Sequence, residues 1–169
     1  MRRFLDGMYA AAEFLAAVSL IGVLLTVLLS VASRQLTFHI SGLDAYAGYL
    51  MASAGFFALA STLRHGEHIR VTLLLNVLSP SGKRRLDIGA ITVGLAVAVS
   101  LAFFSSKLVW DSRIFNDIST SNDATPLWIP QLSMAAGNIL FVIAFLDLLV
   151  ARIRGEGLLM DSQEPQRNE

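Results

Sequence analysis

Three histidines, His39, His65 and His68, are the side chains of this sequence with the widest chemical reach. Imidazole ligates haem iron and zinc and titrates near neutral pH. A haem-binding membrane anchor places its histidines inside the spanning helices as axial ligands, whereas these three fall in loops or at helix ends. His65 and His68 are three apart, a spacing compatible with a shared metal ion, but only Glu67 accompanies them and metal sites need a fuller ligand set. We read His68 as a hydrogen-bonding residue at a loop–membrane boundary and expect no metal and no cofactor.

Nucleophilic chemistry has no better footing. Serines are plentiful, but neither G-x-S-x-G nor S-x-x-K occurs with a base nearby. No P-loop and no dinucleotide-binding glycine pattern is present. With no cysteine, disulfides, cysteine-ligated zinc, iron–sulfur clusters and thiol nucleophiles are all excluded. The 13 basic and 13 acidic residues balance, which argues against a nucleic-acid partner. The expectation is a chain without enzymatic activity.

The elements behind these residues emerge from the gaps between charges. The chain has 169 residues, 54% hydrophobic and 15% charged, against about 25% charged in soluble domains. Uncharged stretches of about 20 residues run from Phe14 to Ser33, Ala45 to Leu63, Ile88 to Ser106 and Ala124 to Leu146, each long enough to cross a hydrocarbon core as a helix. The first is too long for a signal-peptide core and has Glu13 at its start, so we read it as a retained span. The expected fold is an all-α integral membrane protein with spans at about 12–34, 43–64, 86–111 and 126–150, forming one domain over residues 1–155 with a polar cytoplasmic tail at 156–169. Of the 13 basic residues, only Arg34, Lys107 and Arg113 fall on the side of the first and third connections. The positive-inside rule therefore places both termini and the middle loop in the cytoplasm.

That middle loop reads RHGEHIRVTLLLNVLSPSGKRR. Its apolar part is too short to cross, so a short helix along the inner membrane face is expected at about 69–79. Arg64, Arg70, Lys83 and Arg84 flank it and are expected to meet lipid headgroups. Trp110 and Trp128 are expected at the outer interface as anchors. Asp44 suits the positive dipole end of the second helix, and Lys107 and Asp111 have the spacing of a helix-surface ion pair. Pro126 and Pro130 bracket the start of the fourth helix. Small residues recur at four-residue spacing: Gly22, Thr26 and Ser30; Gly48 with Ala52; Ala54 with Ala58; Ser133 with Gly137. Such faces allow close helix packing in lipid. No internal repeat marks a self-sufficient transporter, so the spare faces point to a partner protein. Two other readings are a membrane anchor of a redox complex, which would want histidines deep in the spans, and a small self-assembling channel, for which Thr26–Ser30 is the only candidate polar stripe.

Taken in order, these motifs resemble the small membrane subunit (DctQ-like) of tripartite ATP-independent periplasmic (TRAP) transporters. The resemblance rests on Arg64, Gly66, His68 and Ile69 leading into Val71 after the second span, and on Pro126, Trp128 and Pro130 opening the fourth. Asp44 stands where the family often carries glutamate. The resemblance implies a heteromeric sodium-coupled symporter for organic acids or similar solutes in the bacterial inner membrane. In it a large membrane subunit carries the sodium and substrate sites and moves as an elevator. A periplasmic solute-binding protein delivers the solute. The small subunit is implied to be a scaffold that holds no substrate site, with membrane lipids at its boundaries.

Overall fold

In a computed structural model of the chain, residues 2–36, 38, 40–64 and 80–154 are described. They form four helices: α1 (Arg2–Gln35), α2 (Leu43–Arg64), α3 (Pro80–Ile114) and α4 (Trp128–Ile153). All four contain a stretch long and apolar enough to cross a membrane. Lipid offers no hydrogen bonds, so a crossing chain must satisfy its amides internally, and a helix does so within one segment. The hydroxyls inside the helices follow the same rule. Thr26, Thr92, Ser100 and Ser105 each donate to a carbonyl one turn earlier in their own helix, at 2.7–2.9 Å. No strand occurs among the described residues, only an isolated bridge between Ile118 and Pro126.

α1 and α3 extend well past the uncharged stretches, with 34 and 35 residues, about 50 Å each against a hydrocarbon core of about 30 Å. α3 starts at Pro80, ahead of the expected span start near 86. Proline is pre-organised for a first helical position and loses no hydrogen bond there. Arg64, Lys83 and Arg84 therefore belong to helices. The surface helix expected at 69–79 lies outside the described residues.

The helices pack in the order α1–α2–α4–α3. α1 and α3, at the two ends of this row, do not close on each other to a comparable extent, so the helix set is open. Each of the three seams has its own means of close approach. At α1–α2, α1 contributes Tyr9, Ala12, Ala16 and Ser19, all buried, and Gly22 abuts the Leu50 side chain. Ser61 donates to Glu13 Oε1 at 2.8 Å across this seam. At α2–α4, a Cβ on Gly137 would lie 2.6 Å from the Phe56 carbonyl oxygen, so only glycine permits the observed contact. Ser53 and Ser133 hydrogen-bond at 2.7 Å in the same seam. At α3–α4, the Phe145 ring fills the notch at Gly94, Asn138 Nδ2 donates to Ser105 Oγ at 3.2 Å, and Arg152 pairs with Asp87.

Not every small-residue pair is used. Ala54 and Gly137 are buried, but Gly48 and Ala52 stay exposed, with no atom within 4 Å of a Cβ on Gly48. Most of the surface is apolar: only 11% of the α1 spanning window and 28% of that of α4 are buried. In water such exposure would drive aggregation; in lipid it is the solvated state.

Candidate functional site

Polar side chains concentrate at the end of the row that carries the α1–α2 and α3–α4 connections. The α3–α4 connection folds back on itself. Asn116 and Ala124 take positive φ (53° and 47°), Ser119 N–H donates to Thr125 O at 2.9 Å and Leu127 N–H to Asp117 O at 3.0 Å. This turn presents Asp123 to α2. Ser119 Oγ donates to Asp123 Oδ1 at 2.7 Å, and the Tyr49 hydroxyl is shared between Asp123 Oδ2 at 3.1 Å and Ser119 Oγ at 2.9 Å. Tyr46 and Thr125 join their hydroxyls at 3.1 Å. Partial desolvation pushes the Asp123 carboxyl up, but hydrogen bonds from Thr125, Ser119, Tyr49 and its own amide outweigh this and hold it below the ordinary 3.8. Gly42 completes the clasp. It has φ of 84°, in the left-handed region, and a Cβ there would meet Asp123 Cβ at 2.6 Å.

Asp44 lies in the first turn of α2, as its dipole argument expects, and has a second task. It accepts from Ser30 at 3.0 Å and pairs with Arg34 at 3.2 Å, tying the end of α1 to the start of α2. Both partners of the ion pair are exposed, so it contributes little stability. Between this pair and Ser121 and Asn122 opens a shallow polar cleft.

The family-motif residues divide. Trp128 opens α4, half-buried, with the Arg113 guanidinium 5.4 Å from its ring centre, a cation–π contact that fastens the ends of α3 and α4 together. Pro126 takes part in the bridge to Ile118, and the Pro130 carbonyl accepts from Ser133 at 2.7 Å. Trp110 sits on α3 with 65% of its surface exposed. Arg64 ends α2, and Lys83 and Arg84 lie in the first turns of α3. Gly66, His68, Ile69 and Arg70, with His39 and His65, lie outside the described residues. Lys107 and Asp111 form no ion pair: Lys107 projects from the surface while Asp111 is half-buried. Sequence reasoning missed Tyr49, Ser119 and Asp123 as a unit, because Tyr49 lies 70 and 74 positions from the other two and each residue type is ordinary in a loop or helix end. Among the described residues no group of three or more His, Cys, Asp or Glu is placed to hold a metal.

No curated protein matches the chain. Residues 23–155 match the family described as tripartite ATP-independent periplasmic transporters, DctQ component. That stretch takes in the last part of α1, all of α2, α3 and α4, and the Asp123 clasp. Four apolar helices joined at one end by a polar clasp, together with this match, identify the chain as a member of the DctQ family, a component of TRAP transporters.

Proposed function

We propose that the chain is the small permease subunit of a sodium-coupled TRAP transporter for organic acids or similar solutes, and that it acts as a membrane scaffold for the large elevator subunit. The family match over residues 23–155 carries this reading. The open helix row supports it in physical terms. An elevator needs one domain held still while another slides. A row with two free edges adds lipid-facing perimeter to a fixed domain more effectively than a closed bundle of equal helix number. Trp110 and the Arg113–Trp128 pair at one boundary, and Arg64, Arg70, Lys83 and Arg84 at the other, resist tilt and vertical displacement. Sodium and substrate sites belong to the large subunit, and the solute-binding protein docks from outside.

In this reading both termini are cytoplasmic, the Asp123 clasp faces outward, and residues Asn116 to Thr125 contribute to the surface met by the binding protein. Rigidity of that loop is useful there, since a preformed surface loses less entropy on docking. The absence of native cysteine makes orientation easy to test. In intact cells an impermeant maleimide is expected to label Ser121→Cys and to leave Ser162→Cys unlabelled; the reverse pattern refutes the topology. The scaffold role is tested by reconstituting the large subunit with and without this chain. Loss of sodium-driven uptake without it is expected. Full uptake by the large subunit alone refutes the role.

A further inference from the structure

The helices carry four acidic residues toward the end opposite the clasp: Asp6, Glu13, Asp87 and Asp147. The first three are engaged within the chain. Glu13 accepts from Ser61, and Asp87 pairs with Arg152. Asp147 is exposed and makes no hydrogen bond or ion pair among the described residues. The nearest cation on its helix face, Arg154, is seven positions further on, about 10 Å along the axis, and does not reach it. Asp147 stands about 28 Å from the start of α4 and about 9 Å before its end, which puts its carboxylate at the edge of a hydrocarbon core about 30 Å thick. A carboxylate facing lipid there is costly, and such groups are as a rule paired.

The surface beside it has a definite pattern. Exposed residues on α4 recur at alternating spacings of three and four, from Ile129 through Leu132, Ala136 and Ile139 to Leu146 and Val150. The series passes through half-buried Ile143. It is the a/d repeat of a coiled-coil seam, and it runs the length of the helix. α2 and α3 occupy other faces of α4, through Gly137 and Asn138 respectively, so the seam is free. Asp147 directly follows Leu146 and falls at an e position. In a coiled coil the e and g positions hold the interhelical ion pairs that choose the partner.

We propose that this seam of α4 is where a transmembrane helix of the large subunit docks, and that the docked helix carries a lysine or arginine opposite Asp147 near the inner membrane boundary. The proposal rests on reading the chain as the small subunit of that assembly. Apolar side chains of both helices interlock along the seam, and the ion pair fixes register and partner identity. A lipid headgroup cannot supply the same match, because it offers a cation without a seam.

The test uses the full transporter purified in native lipid through a tag on this chain. p-Benzoylphenylalanine placed at Ile139 or Leu146 is expected to crosslink to the large subunit, and at Met51, on the exposed face of α2, it is expected not to. Asp147→Lys is expected to lower recovery of the large subunit about fivefold, the scale of an interhelical polar contact in lipid, while Asp147→Glu restores it. Circular dichroism checks that each variant remains helical. Crosslinking from Met51 but not from Ile139 or Leu146, or undiminished recovery with Asp147→Lys, overturns the seam while leaving the subunit reading intact. Failure of the unsubstituted chain to recover any large subunit overturns the subunit reading and the seam with it.

Discussion

Gly137→Ala is the smallest change that tests the packing of the row at its centre. A Cβ at this position would lie 2.6 Å from the Phe56 carbonyl oxygen, 2.7 Å from its carbonyl carbon and 2.8 Å from its Cβ. Ordinary contact begins at 3.4 Å. Two of the three obstructing atoms are backbone, so no rotamer change relieves the clash, and the helices must separate by about 0.8 Å. The Ser53–Ser133 hydrogen bond, 2.7 Å long in the same seam, would then stretch to the edge of a useful length. Overpacking of this kind costs about 1–3 kcal/mol, and an interhelical hydrogen bond in lipid contributes about 0.6 kcal/mol more. We therefore expect Gly137→Ala to destabilise the protein by about 2 kcal/mol, measured by denaturant unfolding in mixed micelles and followed by circular dichroism. Gly89→Ala is the control. A Cβ there meets nothing within 4 Å, and alanine is the better helix former by about 1 kcal/mol, so this change is expected to be neutral or stabilising. If the two substitutions have equal effects, the close approach of α2 and α4 is wrong.

Three further expectations follow from the same geometry. The Asp87–Arg152 pair has side chains only 20% and 26% exposed. Asp87→Ala and Arg152→Ala should each cost about 1–3 kcal/mol, and the double variant clearly less than their sum, as a double-mutant cycle would show. Asn138 is 2% exposed and its Oδ1 has no partner, while Ser105 keeps its bond to the Leu101 carbonyl without it. Asn138→Leu should therefore leave stability unchanged or raise it by up to about 1 kcal/mol in the unfolding assay. Asp123 has a carboxyl held below its ordinary 3.8, so its contribution is present above that value and is lost as pH falls through the lower folded-state value. Amide exchange at residues 117–127 should accelerate as pH drops below about 4, beyond the intrinsic trend for exchange, and Asp123→Asn should abolish this extra dependence.

The fold was legible because lipid imposes so simple a rule. Charge-free stretches such as Ala45 to Leu63 have one stable conformation in hydrocarbon, and α2 covers that stretch. Helix ends were less legible. Pro80 opens α3 among basic residues that a hydrophobicity argument assigns to a loop, because a helix does not stop where the lipid does. The order of helices was not readable at all. Gly48–Ala52 and Ser133–Gly137 look alike in sequence, yet one is open and the other holds the central seam, and only the neighbouring helix decides which. The clasp was hidden for a related reason: Tyr49 and Asp123 meet only because α2 and α4 lie side by side, which no local pattern encodes. Lys107 and Asp111 illustrate the converse. Correct spacing brings two side chains onto neighbouring positions but does not bind them when solvent or lipid competes for one of them.

The openness of the helix row has a consequence for how this protein comes apart. A closed bundle resists as one body, because each helix is held from two sides. Here an end helix has a single main neighbour, so total stability approximates a chain of three nearest-neighbour terms, as in linear repeat proteins. Damage at one junction stays at that junction. An end helix, α1 or α3, can peel away while the remaining three stay assembled.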